Sequence, residues 1–177
     1  TIFVVRDPLP VIASLANRPR FWKGDFRGLD NHYRMFRSQV LTRPELAHVV
    51  GSVPLPSEVT PSKIVQIQAI MWAATHRMVF DALVGTPVPL LFYEDLFRDP
   101  FKVARSALQK LGLTDAKLHP SYIFTPSMAT MRTTHDLEGE RARKNGALDF
   151  FHKGKLTDDE LRVIARVLAD FGVAIYD

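Results

Sequence analysis

The stretch that decides the fold is TIFVVRDPLPVIAS, residues 1–14. Residues 1–5 are all β-branched or aromatic, which is typical of a buried parallel strand. Asp7 and Pro8 then predict the start of a helix, because Asp accepts hydrogen bonds from exposed helix amides and Pro suits the first helical position. The opening therefore predicts a strand followed directly by a helix.

The same order of features occurs again later in the chain. The run PVPLLFY (87–93) predicts a short apolar strand, and Asp99-Pro100 predicts the start of a helix that continues through Lys110. Between the two copies, apolar residues at helical spacing predict a long helix over residues 62–84. Strand, acidic cap, Pro and helix, twice over, predict an α/β fold: a parallel sheet flanked by helices.

Turn-forming residues and helix caps predict the secondary structure of the other segments. Residues 51–61 contain three prolines and are predicted to form a loop. Residues 120–151 have weak periodicity and are interpreted as long loops or short helices. Thr157, with Glu160 three residues later, forms a capping-box pattern and predicts a last helix that ends near Gly172.

Composition excludes several classes of protein. The chain has 177 residues, of which 46% are hydrophobic and 24% charged, so it can form a core and is not intrinsically disordered. It contains no cysteine, which excludes thiol catalysis, disulfides and Cys-ligated zinc. No apolar run is long enough to predict a transmembrane segment. The compartment stays open.

The first strand raises a question of completeness. A buried parallel strand needs neighbours on both sides, and only one other strand is predicted. We therefore expect the chain to be the carboxyl-side portion of a single larger domain that is incomplete at the N-terminus.

The positive charge is concentrated in residues 18–43, which contain seven Lys and Arg against two Asp, although the whole chain has a net charge of only +4. Such a segment could bind an acidic glycan as a substrate, or it could be a solvated helix face with flanking loops. Five aromatic residues lie between the cations and would suit stacking on sugars or bases: Phe21, Trp22, Phe26, Tyr33 and Phe36.

Arg6 ends the first predicted strand, and Ser14 lies further into the helix that follows. Ligands of open parallel sheets bind at the carboxyl ends of the strands. A guanidinium there suits a phosphate group, by charge and by its forked donors. The alternative is that Arg6 forms a structural ion pair with Asp7 or Glu94.

Two further segments contain polar side chains that could bind a ligand. Tyr93 ends the second predicted strand and precedes Glu94 and Asp95, so it could stack on a ligand or be a core tyrosine beside a solvated acidic pair. Cations and a glycine cluster in residues 141–146, which could wrap an anion or form an ordinary charged turn.

Together, the runs VVRDPLPVIAS (4–14), FYEDLFRDP (92–100) and RKNG (143–146) resemble the sulfotransferase superfamily, whose members use 3′-phosphoadenosine 5′-phosphosulfate (PAPS). The resemblance spans nearly the whole chain and implies the P-loop, nucleotide-kinase-like fold of that family. Its most specific part is the eight-residue step from Arg6 to Ser14.

The resemblance implies a role for each matching residue. Arg6 and Ser14 would hold the 3′-phosphate of the nucleotide, and Tyr93 would contact its adenine. Arg143 and Lys144 match a late basic loop that closes over the same phosphate, continued here by Asn145 and Gly146. Many relatives have Gly directly after Arg-Lys, so Asn145 departs from the family pattern.

The resemblance also implies which parts are missing. The family's loop for the 5′-phosphosulfate and its general base would precede Thr1, and none of the six histidines stands at a matching place. No spacing of His, Asp and Glu indicates a metal site. We therefore predict that the intact domain transfers a sulfuryl group to a hydroxyl or amine, and that this chain supplies the 3′-phosphate and adenine half of the PAPS site and is inactive alone.

Three other functions remain open at this point: a nucleic-acid-binding module, a phosphoryl-transferring kinase and a non-catalytic nucleotide-binding or scaffolding domain. The first is not expected, because no nucleic-acid-binding motif accompanies the basic segment. The acceptor substrate is not determined, although an acidic glycan would suit the basic segment.

Overall fold

The computed structural model describes residues 1–16, 27–118 and 156–173. Within these ranges a 3₁₀ turn, Pro61–Lys63, precedes the longest helix. The strands and α-helices, in chain order, are β1 (Phe3–Val5), α1 (Pro8–Ala16), α2 (Arg27–Thr42), α3 (Pro44–Val50), α4 (Ile64–Leu83), β2 (Leu90–Phe92), α5 (Tyr93–Arg98), α6 (Pro100–Lys110) and α7 (Asp158–Asp170).

The chain divides into two compact units. In its described part, the first unit comprises residues 1–7 and 85–118, with both strands, α5 and α6. The second comprises residues 8–16, 27–84 and 156–173, with the other helices.

A two-stranded parallel sheet forms the centre of the first unit. Phe3 of β1 pairs with Leu90 of β2, and Val5 pairs with Phe92. The predicted parallel pairing is confirmed, but each strand has only three residues. Prolines explain the short β2, because Pro87 and Pro89 have no N–H to donate to a ladder. At the level of fold class, the chain is mostly helical with a small parallel sheet flanked by helices.

Helices α5 and α6 follow β2 without a long loop. The sequence placed Tyr93 at the end of a strand, whereas in the structure it is the first residue of α5. The predicted cap of α6 is confirmed, since the Asp99 carboxylate accepts a hydrogen bond from the Lys102 N–H at 3.1 Å. Gly112, at φ +73°, follows the end of α6, where only glycine adopts this backbone conformation readily.

In the second unit, α4 is the central helix, and α1, α2, α3 and α7 all pack against it. Its buried side includes Ile67, Ile70 and Ala73, none of which is exposed to solvent. The predicted long helix is confirmed, preceded by the 3₁₀ turn. No helix within the described residues is both long and apolar enough to cross a membrane.

The last helix, α7, begins as predicted. Thr157 Oγ1 accepts from the Glu160 N–H at 3.3 Å, and the Glu160 carboxylate accepts from the Thr157 N–H at 2.7 Å. The helix ends at Asp170, and Gly172 follows at φ +62°. Arg77 of α4 donates to the carbonyl of Phe171 at 3.4 Å, so α4 supplies a cation to the carboxyl end of α7.

Candidate anion-binding site at the strand ends

The sheet register brings two of the predicted site residues together. Val5 and Phe92 are register partners and are the last residues of β1 and β2. Arg6 and Tyr93, the next residues, therefore lie at the same edge of the sheet. The guanidinium carbon of Arg6 lies over the ring of Tyr93, 4.8 Å from its centroid. This is the geometry of a cation–π contact.

The Arg6 guanidinium has no protein acceptor among the described residues. Its Nε is buried and is the only buried side-chain nitrogen or oxygen in that part of the chain without a hydrogen-bond partner. No carboxylate of residues 1–16, 27–118 or 156–173 forms an ion pair with it. Leaving a buried donor unsatisfied costs about 1–3 kcal/mol. An oxyanion at this guanidinium would supply both the missing acceptor and a countercharge.

Glu94 forms a hydrogen bond with the backbone, whereas the sequence also allows an ion pair with Arg6. Its Oε1 accepts a hydrogen bond from the backbone N–H of Asp7 at 3.0 Å. Within the described residues the structure records no ion pair of Arg6 with Asp7 or Glu94, although both carboxyl residues make further contacts. Glu94 instead joins the residue after Arg6 to the residue after Tyr93. This bond links the chain just after the cation to the chain just after its ring.

The other predicted site residues are placed differently. Ser14 lies on α1 in the second unit, where Ile12 and Ala13 are buried and the Ser14 side chain is exposed. The late basic loop, with Arg143, Lys144, Asn145 and Gly146, lies outside the described residues.

The basic segment proves to be partly structural. Tyr33 and Phe36 are only 1% and 6% exposed, so the predicted stacking on a ligand is wrong for both. Arg34 forms an ion pair with Asp30 at 2.7 Å, and Arg37 donates to the carbonyl of Ser57 at 2.8 Å. Residues 27–42 thus form a helix with an apolar buried side, while Phe21, Trp22 and Phe26 lie outside the described residues. The acidic-glycan acceptor stays a prediction.

Sequence reasoning missed the contact between Arg6 and Tyr93 and the bond between Glu94 and Asp7. A signal for both was present, because both pairs directly follow predicted parallel strands, whose carboxyl ends meet at one sheet edge. The sequence did not give the register, and a shift of one residue would have separated them.

The side chains at this sheet edge have the charge and the donors that suit an oxyanion. The guanidinium supplies a permanent positive charge and directed N–H donors, and the sheet edge is where ligands of parallel sheets bind. Among the described residues, no group of three or more His, Asp and Glu side chains is placed to hold a metal ion.

Comparison with known proteins gives no relative from which a role could be transferred: no protein-family model, no curated protein and no solved structure matches this chain.

Proposed function

We propose that this chain binds the 3′-phosphate and adenine half of PAPS and belongs to a sulfotransferase. One observation carries the proposal. Arg6 stands at the carboxyl end of a parallel strand with its guanidinium over Tyr93 and without an ion pair among the described residues. Arg6 is half-buried, and its buried Nε has no acceptor among the described residues, although buried polar groups are normally hydrogen-bonded within the protein. An unpaired cation at a sheet edge indicates an anionic ligand.

The resemblance to the sulfotransferase superfamily implies that the anion is a nucleotide phosphate. The resemblance places the 3′-phosphate on Arg6 and Ser14 and the late basic loop over it. In the proposed reaction, an acceptor oxygen or nitrogen forms a bond to sulfur while the bond from sulfur to the 5′-phosphate oxygen breaks. A base takes the acceptor proton, and adenosine 3′,5′-bisphosphate leaves. Arg6 binds the nucleotide away from the reacting sulfur, and we assign no residue of this chain to the proton transfer.

Calorimetric titration tests the binding step. We expect the 177-residue chain to bind adenosine 3′,5′-bisphosphate more tightly than ATP or single-stranded DNA. Arg6→Ala should weaken that binding at least about tenfold, since hydrogen bonds to charged groups contribute about 1.5–3 kcal/mol. Arg98→Ala is the matched control, because Arg98 lies in the same unit and pairs with Asp95 at 3.5 Å.

The other outcomes separate the alternatives. Preference for ATP would favour a kinase, and preference for DNA would favour a nucleic-acid-binding module. An equal loss of affinity for adenosine 3′,5′-bisphosphate in the Arg6 and Arg98 variants would contradict a specific role for Arg6. In a protein that also contains the reacting half of the PAPS site, turnover of PAPS with phenol, sugar and amine acceptors distinguishes an enzyme from a non-catalytic binding domain.

A further inference from the structure

The contact between Tyr93 and Arg6 indicates a role for the tyrosine other than contacting the adenine. We propose that Tyr93 is a positioning residue whose ring holds the Arg6 guanidinium ready for the phosphate, instead of contacting the adenine. The inference rests on the proposed function and changes the role that the resemblance implies for one residue.

The position of the guanidinium carries the inference. It lies over the Tyr93 ring, with its carbon 4.8 Å from the centroid. One face of the ring is therefore occupied by a cation and is not open to a stacked base. The ring meets the guanidinium through its negative face, so the contact is attractive.

The backbone holds both partners in this arrangement. Val5 and Phe92, the residues just before Arg6 and Tyr93, are held by the sheet register. The hydrogen bond of 3.0 Å from the Asp7 N–H to Glu94 joins the residues just after Arg6 and Tyr93. The arginine and the ring are thus restrained on both sides before any ligand arrives.

Restraint of this kind increases affinity for an anion. An arginine side chain has several rotatable bonds, and ordering them is one of the costs of binding. A ring that already orders the guanidinium removes part of that cost. The gain in affinity comes from the contact between Arg6 and the phosphate. It therefore does not depend on whether the ligand has a base.

Two ligands and two protein backgrounds test the inference. The ligands are adenosine 3′,5′-bisphosphate and abasic ribose 3,5-bisphosphate, which lacks the adenine. We expect Tyr93→Leu to weaken both by the same factor, about three- to tenfold. Tyr93→Phe keeps the ring and should bind within about twofold of the unaltered chain. In the Arg6→Ala background, Tyr93→Leu should cause no further loss.

Two outcomes would contradict the positioning role of Tyr93. A loss confined to the adenosine ligand, or one that persists without Arg6, would show that the ring contacts the base. Binding of neither ligand by the unaltered chain would instead reject the proposed function itself, and the inference with it.

An NMR measurement on the unaltered chain does not depend on whether Tyr93→Leu folds. The side-chain methylene protons of Arg6 should be shifted upfield by the Tyr93 ring in the free protein. The Arg6 Nε–H signal should move when the abasic bisphosphate is added. Arg6 protons at unshifted positions would overturn the inference.

Discussion

Glu94 connects the two chain segments that follow the strands by a hydrogen bond next to Arg6. Its carboxylate accepts from the Asp7 amide at 3.0 Å, so it is engaged next to a cation with which it could have paired. A bond from a backbone N–H to a carboxylate is charge-assisted and stronger than a neutral one. Glu94 therefore contributes to the stability of the backbone next to Arg6.

Substitution of Glu94 tests this role. We expect Glu94→Ala to lower the free energy of unfolding by about 1–3 kcal/mol, because the partly buried Asp7 amide loses its acceptor. Glu94→Gln retains a side-chain oxygen and should cost less than about 1 kcal/mol. Urea denaturation measures both variants. Equal losses would show that the hydrogen bond to Asp7 is not what Glu94 contributes.

His76 is a titratable residue held in a mainly apolar environment. Its ring stacks on Trp72, with centroids 3.8 Å apart and planes inclined by 16°, and Phe80 lies on the same helix with its centroid at 6.1 Å. Nδ1 lies 2.8 Å from the Trp72 carbonyl, so it carries the proton in the neutral ring. Burial lowers the pKa of His76 below its ordinary value of 6.5, although the hydrogen bond to Trp72 opposes the shift.

The lowered pKa of His76 predicts a direction of pH dependence. Below pH 6.5 the unfolded chain takes up a proton at His76 more readily than the folded chain does. The contribution of His76 to stability is therefore complete above pH 6.5 and declines as the pH falls through that value. Urea denaturation between pH 8 and 5 should show a smaller decline for His76→Gln than for the unaltered chain. The exposed His48, replaced in the same way, is the control.

At the scale of elements, α2 is attached to the loop that follows α3 by two side chains. The Tyr33 hydroxyl donates to the Pro56 carbonyl at 2.8 Å, and Arg37 donates to the Ser57 carbonyl at 2.8 Å. Burial raises the pKa of Tyr33 to about 12, with Arg37 acting in the opposite direction. A buried phenol thus anchors α2 to this loop.

Tyr33→Phe should lower the free energy of unfolding at pH 7 by about 1 kcal/mol, since the Pro56 carbonyl loses its donor. The same substitution should also reduce alkaline denaturation. Tyr33 ionises near pH 10 when unfolded and near 12 when folded, so its contribution to stability declines over that interval. Denaturation curves at pH 7, 9 and 11 would show this, and an unaltered pH dependence in Tyr33→Phe would contradict it.

The capping box of α7 stabilises an element that packs against α4. Thr157→Ala should destabilise the protein by about 1 kcal/mol, because the Glu160 amide loses its acceptor. Thr157→Ser retains the hydroxyl and should cost only a few tenths of a kcal/mol. Thermal unfolding followed by circular dichroism compares the two. If the serine variant is as unstable as the alanine variant, then the hydroxyl bond is not the stabilising interaction.

At the scale of the whole molecule, the core of the second unit depends on the contact between α4 and α7. Ile164 of α7 is fully buried, whereas Leu41 at the end of α2 is 85% exposed. We expect Ile164→Ala to cost about 2–5 kcal/mol by creating a cavity. Leu41→Ala should change stability by less than about 0.5 kcal/mol. Urea denaturation of the two variants checks whether burial determines the difference.

Part of the structure follows from local signals, and those predictions are confirmed. The Asp99 cap, the Thr157–Glu160 capping box and the long helix α4 all depend on residues within a few positions of each other. Helices α3 and α5 were not assigned as elements, and α2 was offered only as a solvated helix face within residues 18–43. Helix α2 lies in a segment where charges and apolar residues alternate closely. Helix α5 begins at Tyr93, which sequence patterns assign equally well to the preceding strand.

The sequence by itself determined the alternation of strand and helix, the caps and the position of Arg6 and Tyr93 next to the ends of the strands, because these are properties of neighbouring residues. Only the tertiary structure decided that Arg6 lies on the Tyr93 ring, that Glu94 bonds to the Asp7 amide and that Tyr33 and Phe36 are buried. Each of these depends on which residues meet across the sheet register or the helix packing. Contacts between residues 87 positions apart, as for Asp7 and Glu94, are set by the chain's whole packing and not by local preference.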